Sequence, residues 1–144
     1  MTAVDALQET LAAEHAAVYI YGALGGRTSQ SATPTLYAAV RDAYVTHRSQ
    51  RDQLTRTLRD LGVEPVASEV AYDAPDDLDT PEAIGAAAAA LEDGCAATYA
   101  ALVAETVGDQ RRWAVTALMG AAVRQVDMGA APGILPGAAD LISS

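Results

Sequence analysis

The stretch Ala12-Ala13-Glu14-His15-Ala16-Ala17-Val18-Tyr19-Ile20-Tyr21 decides how the chain folds, because its pattern returns as Ala90-Leu91-Glu92-Asp93-Gly94-Cys95-Ala96-Ala97-Thr98-Tyr99. Each copy sets a carboxylate in a run of apolar or small residues, with a tyrosine seven residues on. Seven residues is close to two helical turns, so the Glu and Tyr of each copy share one helix face. Around the first copy, Leu7, Leu11, Glu14, Val18 and Tyr21 recur at alternating spacings of four and three, the stripe of a helix packed in a bundle. A carboxylate in the middle of such a stripe must be paired, protonated or metal-bound.

Working outward, the first helix runs from about Thr2 to Leu24 and ends at Gly25-Gly26, before a short loop from Arg27 to Ala32. Thr33-Pro34 supplies an N-cap and a first-turn proline for a second helix, which Gly62 and Pro65 stop at about Leu61. Its inner stripe reads Val40, Tyr44, His47, Arg51, Leu54, Leu58, Leu61: polar and aromatic at first, then leucine. Asp79-Thr80-Pro81-Glu82 starts a third helix that reaches about Val107, with Ile84, Ala88, Leu91, Glu92, Cys95, Tyr99 and Leu102 inside. Gly108-Asp109 is read as a tight break. A fourth helix then covers about Gln110 to Met128, with Trp113, Ala117, Gly120/Ala121 and Arg124 on one face. Val63 to Thr80 is the long connection that a bundle with one crossover needs, and it makes the second and third helices parallel. Its aspartates, Asp73, Asp76, Asp77 and Asp79, lack the central glycine and terminal Glu of an EF-hand and read as a solvated loop. Gly129 to Ser144, with Ile134, Leu135, Leu141 and Ile142, is expected as an apolar non-helical tail, or one ending in a short turn of helix, that wraps the bundle or reaches a partner chain. The expected architecture is all-α: one domain over 1–144, a four-helix bundle of two helical hairpins with a short C-terminal tail.

Composition narrows the function. The chain is 51% hydrophobic, much of it alanine, and contains no Phe, which favours closely packed helices. A net charge of −10 argues against nucleic acid, whose phosphates need a positive surface, and against an anionic membrane. The single cysteine, Cys95, excludes an intramolecular disulfide framework and suits a reducing compartment. The N-terminus lacks a basic region followed by a continuous apolar stretch, and no run has the apolar length of a membrane span. A cytoplasmic protein that forms a homodimer is expected, with its small-molecule ligand, if any, unspecified. No catalytic triad, phosphate loop or dinucleotide fingerprint is present.

The duplication extends past the two motifs. At nearly constant offset, Glu14 maps to Glu92, Tyr21 to Tyr99, Leu36 to Trp113 and His47 to Arg124. Two equivalent hairpins give a bundle with approximate internal twofold symmetry and polar positions converging at its middle.

Through Ala12-Ala13-Glu14-His15-Ala16-Ala17-Val18-Tyr19, Tyr44-Val45-Thr46-His47-Arg48 and Leu91-Glu92-Asp93-Gly94-Cys95-Ala96-Ala97-Thr98-Tyr99, the chain resembles the ferritin-like superfamily. More closely it resembles a ferritin-like group of high-GC bacteria built on a domain of unknown function. The resemblance implies a dinuclear metal site with one Glu from each of helices one and three and Glu-x-x-His from helices two and four. Glu14 and Glu92 match the single carboxylates. The second helix reads Tyr44-x-x-His47, keeping the His without the Glu, and the fourth reads Ala121-x-x-Arg124, keeping neither. A guanidinium is permanently charged and cannot ligate, so Arg124 would instead neutralise Glu14 and Glu92 through charge-assisted hydrogen bonds.

The expectation is therefore a degenerate metal site replaced by a buried polar cluster of Glu14, Tyr21, Tyr44, His47, Glu92, Tyr99 and Arg124, with no cofactor. The alternative is a metal-dependent oxidase or peroxide-handling enzyme. It would hold a single iron, zinc or manganese ion on Glu14, His47 and Glu92, with Cys95 one turn from Glu92. Cys95 is otherwise a small core residue, and His15, about 100° round the helix from Glu14, belongs to a seam or the surface.

Overall fold

The computed structural model describes residues 1–139. Its regular structure over those residues is four helices: α1 (Ala3–Gly25), α2 (Pro34–Asp60), α3 (Pro81–Glu105) and α4 (Gly108–Asp127). The chain is all-α, a four-helix bundle. Thr2 and Asp5 form a reciprocal capping box on α1, and the Thr80 hydroxyl accepts from Ala83 N on α3. At α2 the cap differs from expectation. Thr33 makes no side-chain cap bond; its hydroxyl donates to Ser29 O, leaving Pro34, which lacks an N–H, to open the helix. The expected break at Gly108-Asp109 falls instead at Thr106-Val107. The Thr106 hydroxyl donates back to Leu102 O, and Gly108, with φ of 59°, already begins α4.

Helix directions follow from the paired residues. Glu14 and Tyr21 of α1 meet Tyr99 and Glu92 of α3, so α1 and α3 are antiparallel. Gly25 of α1 lies 4.0 Å from Val40 of α2 as measured from an ideal Cβ, while Glu14 meets His47, so these two are antiparallel as well. Ile84 clusters with Met128, and Tyr99 packs on Trp113, so α3 and α4 form the second hairpin. The chain runs up, down, down, up.

The crossover at 61–80 is fastened along the outer face of α1. The Gln8 amide donates to Glu64 O and accepts from Val66 N, imitating a peptide group. His15 Nε2 lies 3.1 Å from Val66 O, and the Tyr19 ring packs on Tyr72 at 5.6 Å. His15 is therefore a surface residue that holds the crossover. Leu78 plugs the bundle beneath it. Leu61, expected on the inner stripe of α2, caps that helix in solvent instead, because the chain turns away at Gly62 with φ of 73°.

The core has two apolar halves. One gathers Ala6, Leu7, Leu11, Leu54, Leu58 and Leu102; the other gathers Leu24, Val40, Ala43, Ile84, Ala88 and Met128. Between them lie the buried polar residues Glu14, His47 and Glu92. The tail returns onto α3, where Gly137 lies too close to the Ala96 carbonyl to leave room for a Cβ; its φ of 72° likewise favours glycine. At Gly137, then, the tail touches its own bundle, while Ile134 and Leu135 before it stay exposed. Leu141 and Ile142 lie outside the described residues. No described helix is long and apolar enough to cross a membrane.

Two helical glycines in α3 give a paired prediction. Ala normally gains about 1 kcal/mol over Gly inside a helix. At Gly94 nothing lies within 4 Å of the added Cβ, whereas at Gly85 the carbonyl oxygen of Met128 stands 2.8 Å away. Gly94→Ala should raise the melting temperature and Gly85→Ala should lower it, as read by thermal circular dichroism of the two variants beside wild type.

Candidate functional site

The repeated Glu-x6-Tyr pattern and the antiparallel pairing of α1 with α3 together dictate the centre of the bundle. Seven residues span about 10.5 Å of helix. Running in opposite directions, each helix sets its tyrosine beside the other's glutamate. Tyr21 Oη donates to Glu92 Oε1 at 2.6 Å, and Tyr99 Oη donates to Glu14 Oε1 at 2.6 Å. The duplicated motif is satisfied by exchange between hairpins, not within either one.

From α2, His47 enters between the two carboxylates. Its Nδ1 lies 2.6 Å from Glu14 Oε2 and its Nε2 lies 2.9 Å from Glu92 Oε1, with all three side chains fully buried. With Glu14 and Glu92 ionised, and so only accepting, both ring nitrogens donate and the ring is an imidazolium, in keeping with its raised pKa. The Tyr21 ring stacks on it at 5.2 Å between centroids and 23° between planes. From α4, Arg124 Nε donates to Glu92 Oε1 at 2.8 Å. Gly120, one turn back, leaves the guanidinium its room: a Cβ there would lie 3.2 Å from Nη1. The twofold relation between hairpins is therefore broken at this layer, since His47 touches both carboxylates and Arg124 only one.

Two carboxylates, an imidazolium and a guanidinium sum to zero. Burial alone would depress the His47 pKa, but hydrogen bonds and charge from Glu14 and Glu92 outweigh it and raise it to about 9. Burial works against the charged form of Glu92 too, and the bonds from His47 and Arg124 overcome it, holding that carboxyl below its ordinary value. Tyr99 and Cys95 are pushed well up, first by burial and then by the neighbouring carboxylates. Tyr21 moves the same way beside Glu92. The two tyrosines are neutral donors, and Cys95 is a buried thiol, not a thiolate.

All of the expected polar residues except Tyr44 meet here. Tyr44 is three residues before His47, about 60° round α2. Its ring is half-buried against the gap at Gly22, 3.8 Å from an ideal Cβ there, with the Arg48 guanidinium carbon 5.7 Å from the ring centre. The ligand atoms that converge also differ from the expected trio. Glu14, His47 and Cys95 each place one ligand atom within 4.8 Å of the others. Glu92 approaches the opposite ring nitrogen from Glu14, so one ion cannot join both carboxylates and His47 without the ring moving. The exchange of tyrosines was readable in principle from the antiparallel order of the two motifs.

Two consequences can be measured. His47 has a folded pKa above its unfolded 6.5, so its pairing stabilises fully below pH 6.5 and is lost as pH rises through about 9. Glu92 has a lowered pKa, so its contribution holds above 4.5 and fades as pH falls below that. Denaturant titrations from about pH 5.5 to about pH 9.5 should show stability falling by on the order of 3 kcal/mol, a fall that His47→Ala abolishes. At neutral pH His47→Ala should itself cost about 3–5 kcal/mol, because two buried carboxylates lose their shared cation.

Residues 6–140 match the family described as a domain of unknown function, DUF4439. Among solved structures, the bundle is similar to a conserved hypothetical protein, rv2844, from Mycobacterium tuberculosis. The two share 29% identity with a TM-score of 0.79, over 88% of this chain and 87% of that one. No curated protein matches the chain. With nearly its whole length matched, and a four-helix bundle enclosing a buried Glu/His cluster, the chain belongs to the DUF4439 family.

Proposed function

We propose that this protein is a ferritin-like bundle module of the cytoplasm in which a charge-neutral cluster of Glu14, His47, Glu92 and Arg124, roofed by Tyr21 and Tyr99, stands where relatives of that fold hold metal. The observation that carries the reading is the double engagement of His47. Both imidazole nitrogens face carboxylates at hydrogen-bond distance, which leaves no lone pair for an ion. Arg124 adds a fixed positive charge 2.8 Å from Glu92, and a second cation beside it is opposed. A dinuclear centre does not fit this donor set, and no redox step is derived from it. The role left to the cluster is to fix helix register. Each helix contributes one polar group or more, and a one-turn slip of any helix would strand a buried charge. The single cysteine supports a reducing compartment.

A second reading has one observation in its favour: the convergence of Glu14, His47 and Cys95. Nitrogen, oxygen and sulfur donors in that number suit a mononuclear zinc or iron site, with a metal-dependent oxidase as its enzymatic form. Binding there requires His47 to surrender a ring proton and Cys95 to ionise, against the direction in which both groups are held.

Elemental analysis of protein purified without chelator separates the two, paired with cobalt titration read by absorbance. The first reading expects substoichiometric iron, zinc and manganese and no cobalt–thiolate band. Stoichiometric metal that is lost in Glu14→Ala, or a thiolate band that is lost in Cys95→Ser, would overturn it.

A further inference from the structure

The outer face of α4 is apolar and faces solvent. Val115, Met119, Val123 and Val126 are exposed, Met119 by 64% and Val123 by 59%, on the side of the helix opposite the buried Ala114, Ala117 and Ala121. Val115, Met119, Ala122 and Val126 follow the four-three-four spacing that packs one helix along another, with Val123 beside them. Between Asp109 and Asp127 the helix carries no acidic residue, although the chain as a whole has a net charge of −10. Copies of the chain repel one another over most of their surface. On this face they do not.

The pattern is self-complementary when reversed. In an antiparallel register Val115 meets the partner's Val126, and the large Met119 lies over the small side of the partner's Ala122, on both sides of a twofold axis. Arg112 and Asp127 lie on the same flank of the stripe at opposite ends. The same register therefore sets Arg112 within a turn of the partner's Asp127, twice. Arg112 already pairs with Asp109 of its own helix and would sit between the two carboxylates.

We propose that α4 is a homodimer interface, two copies packing antiparallel through Val115, Met119, Ala122 and Val126 with reciprocal Arg112–Asp127 pairs. One helix face about 30 Å long gives an interface at the small end of the stable range, so the dimer is concentration-dependent. It leaves the buried cluster untouched and holds whether or not that cluster binds metal.

Sedimentation equilibrium of the full chain tests it. Wild type should show a reversible monomer–dimer equilibrium. Met119→Asp, at an exposed position, should raise the dissociation constant at least about 100-fold with unchanged helicity by circular dichroism. Arg112→Asp should weaken the dimer, and Arg112→Asp with Asp127→Arg should restore it. A wild-type chain that stays monomeric, including one that binds lipid vesicles or another protein through this face, overturns the proposal. So does a dimer indifferent to Met119→Asp, or a charge swap that fails to restore association.

Discussion

A protonated imidazole held between two buried carboxylates is the constraint on which this bundle depends. Removing each ion from water costs several kcal/mol, and the attraction among them returns that only while the geometry is kept. His47 sits 2.6 Å from Glu14 and 2.9 Å from Glu92, and three of the four helices meet at those two contacts. Arg124 brings in the fourth helix and completes neutrality. The leucine-rich half of the core below and the Ile84–Met128 half above exclude water from this layer. That exclusion strengthens each hydrogen bond and makes any missing partner costly. The cluster thus acts less as a source of net stability than as a lock on one arrangement of helices whose other contacts, mostly alanine and leucine, would tolerate sliding.

The lock is built from a duplicated plan that has diverged. In both hairpins the Glu-x6-Tyr helix is retained, and the tyrosines exchange partners across the α1–α3 seam with equal distances of 2.6 Å. The flanking helices have parted. At equivalent positions α2 carries an aromatic cation that reaches two carboxylates, and α4 a guanidinium that reaches one. The asymmetry places the permanent charge near the protein surface, where Arg124 keeps 16% of its side chain exposed, and the titratable charge at the fully buried point.

Much of this was legible in the sequence because helix periodicity is strong and glutamates on apolar stripes are rare. Leu7, Leu11 and Glu14 on one stripe, with Glu92 and Tyr99 on another, were enough to give an all-helical four-helix bundle. What stayed hidden depended on side-chain geometry that spacing does not encode. Tyr44 is one turn from His47, yet the absence of side chains at Gly22 and Gly25 opens a groove that its ring lines. Which carboxylate faces which ring nitrogen, and so whether Glu92 or Cys95 could share an ion with Glu14 and His47, follows only from where the imidazole plane lies. The Thr33 hydroxyl is taken up by the preceding loop, donating to Ser29 O and accepting from Ser29 N, a pairing that spacing along the chain does not encode.

The middle of the bundle is a neutral ion cluster organised by a doubly protonated histidine. Histidine-selective nitrogen-15 NMR of the metal-free protein measures this directly. At neutral pH both ring nitrogens of His47 should carry slowly exchanging protons with imidazolium shifts, persisting until the pH approaches about 9. A single protonated nitrogen at neutral pH, with the other free as a base, would contradict it.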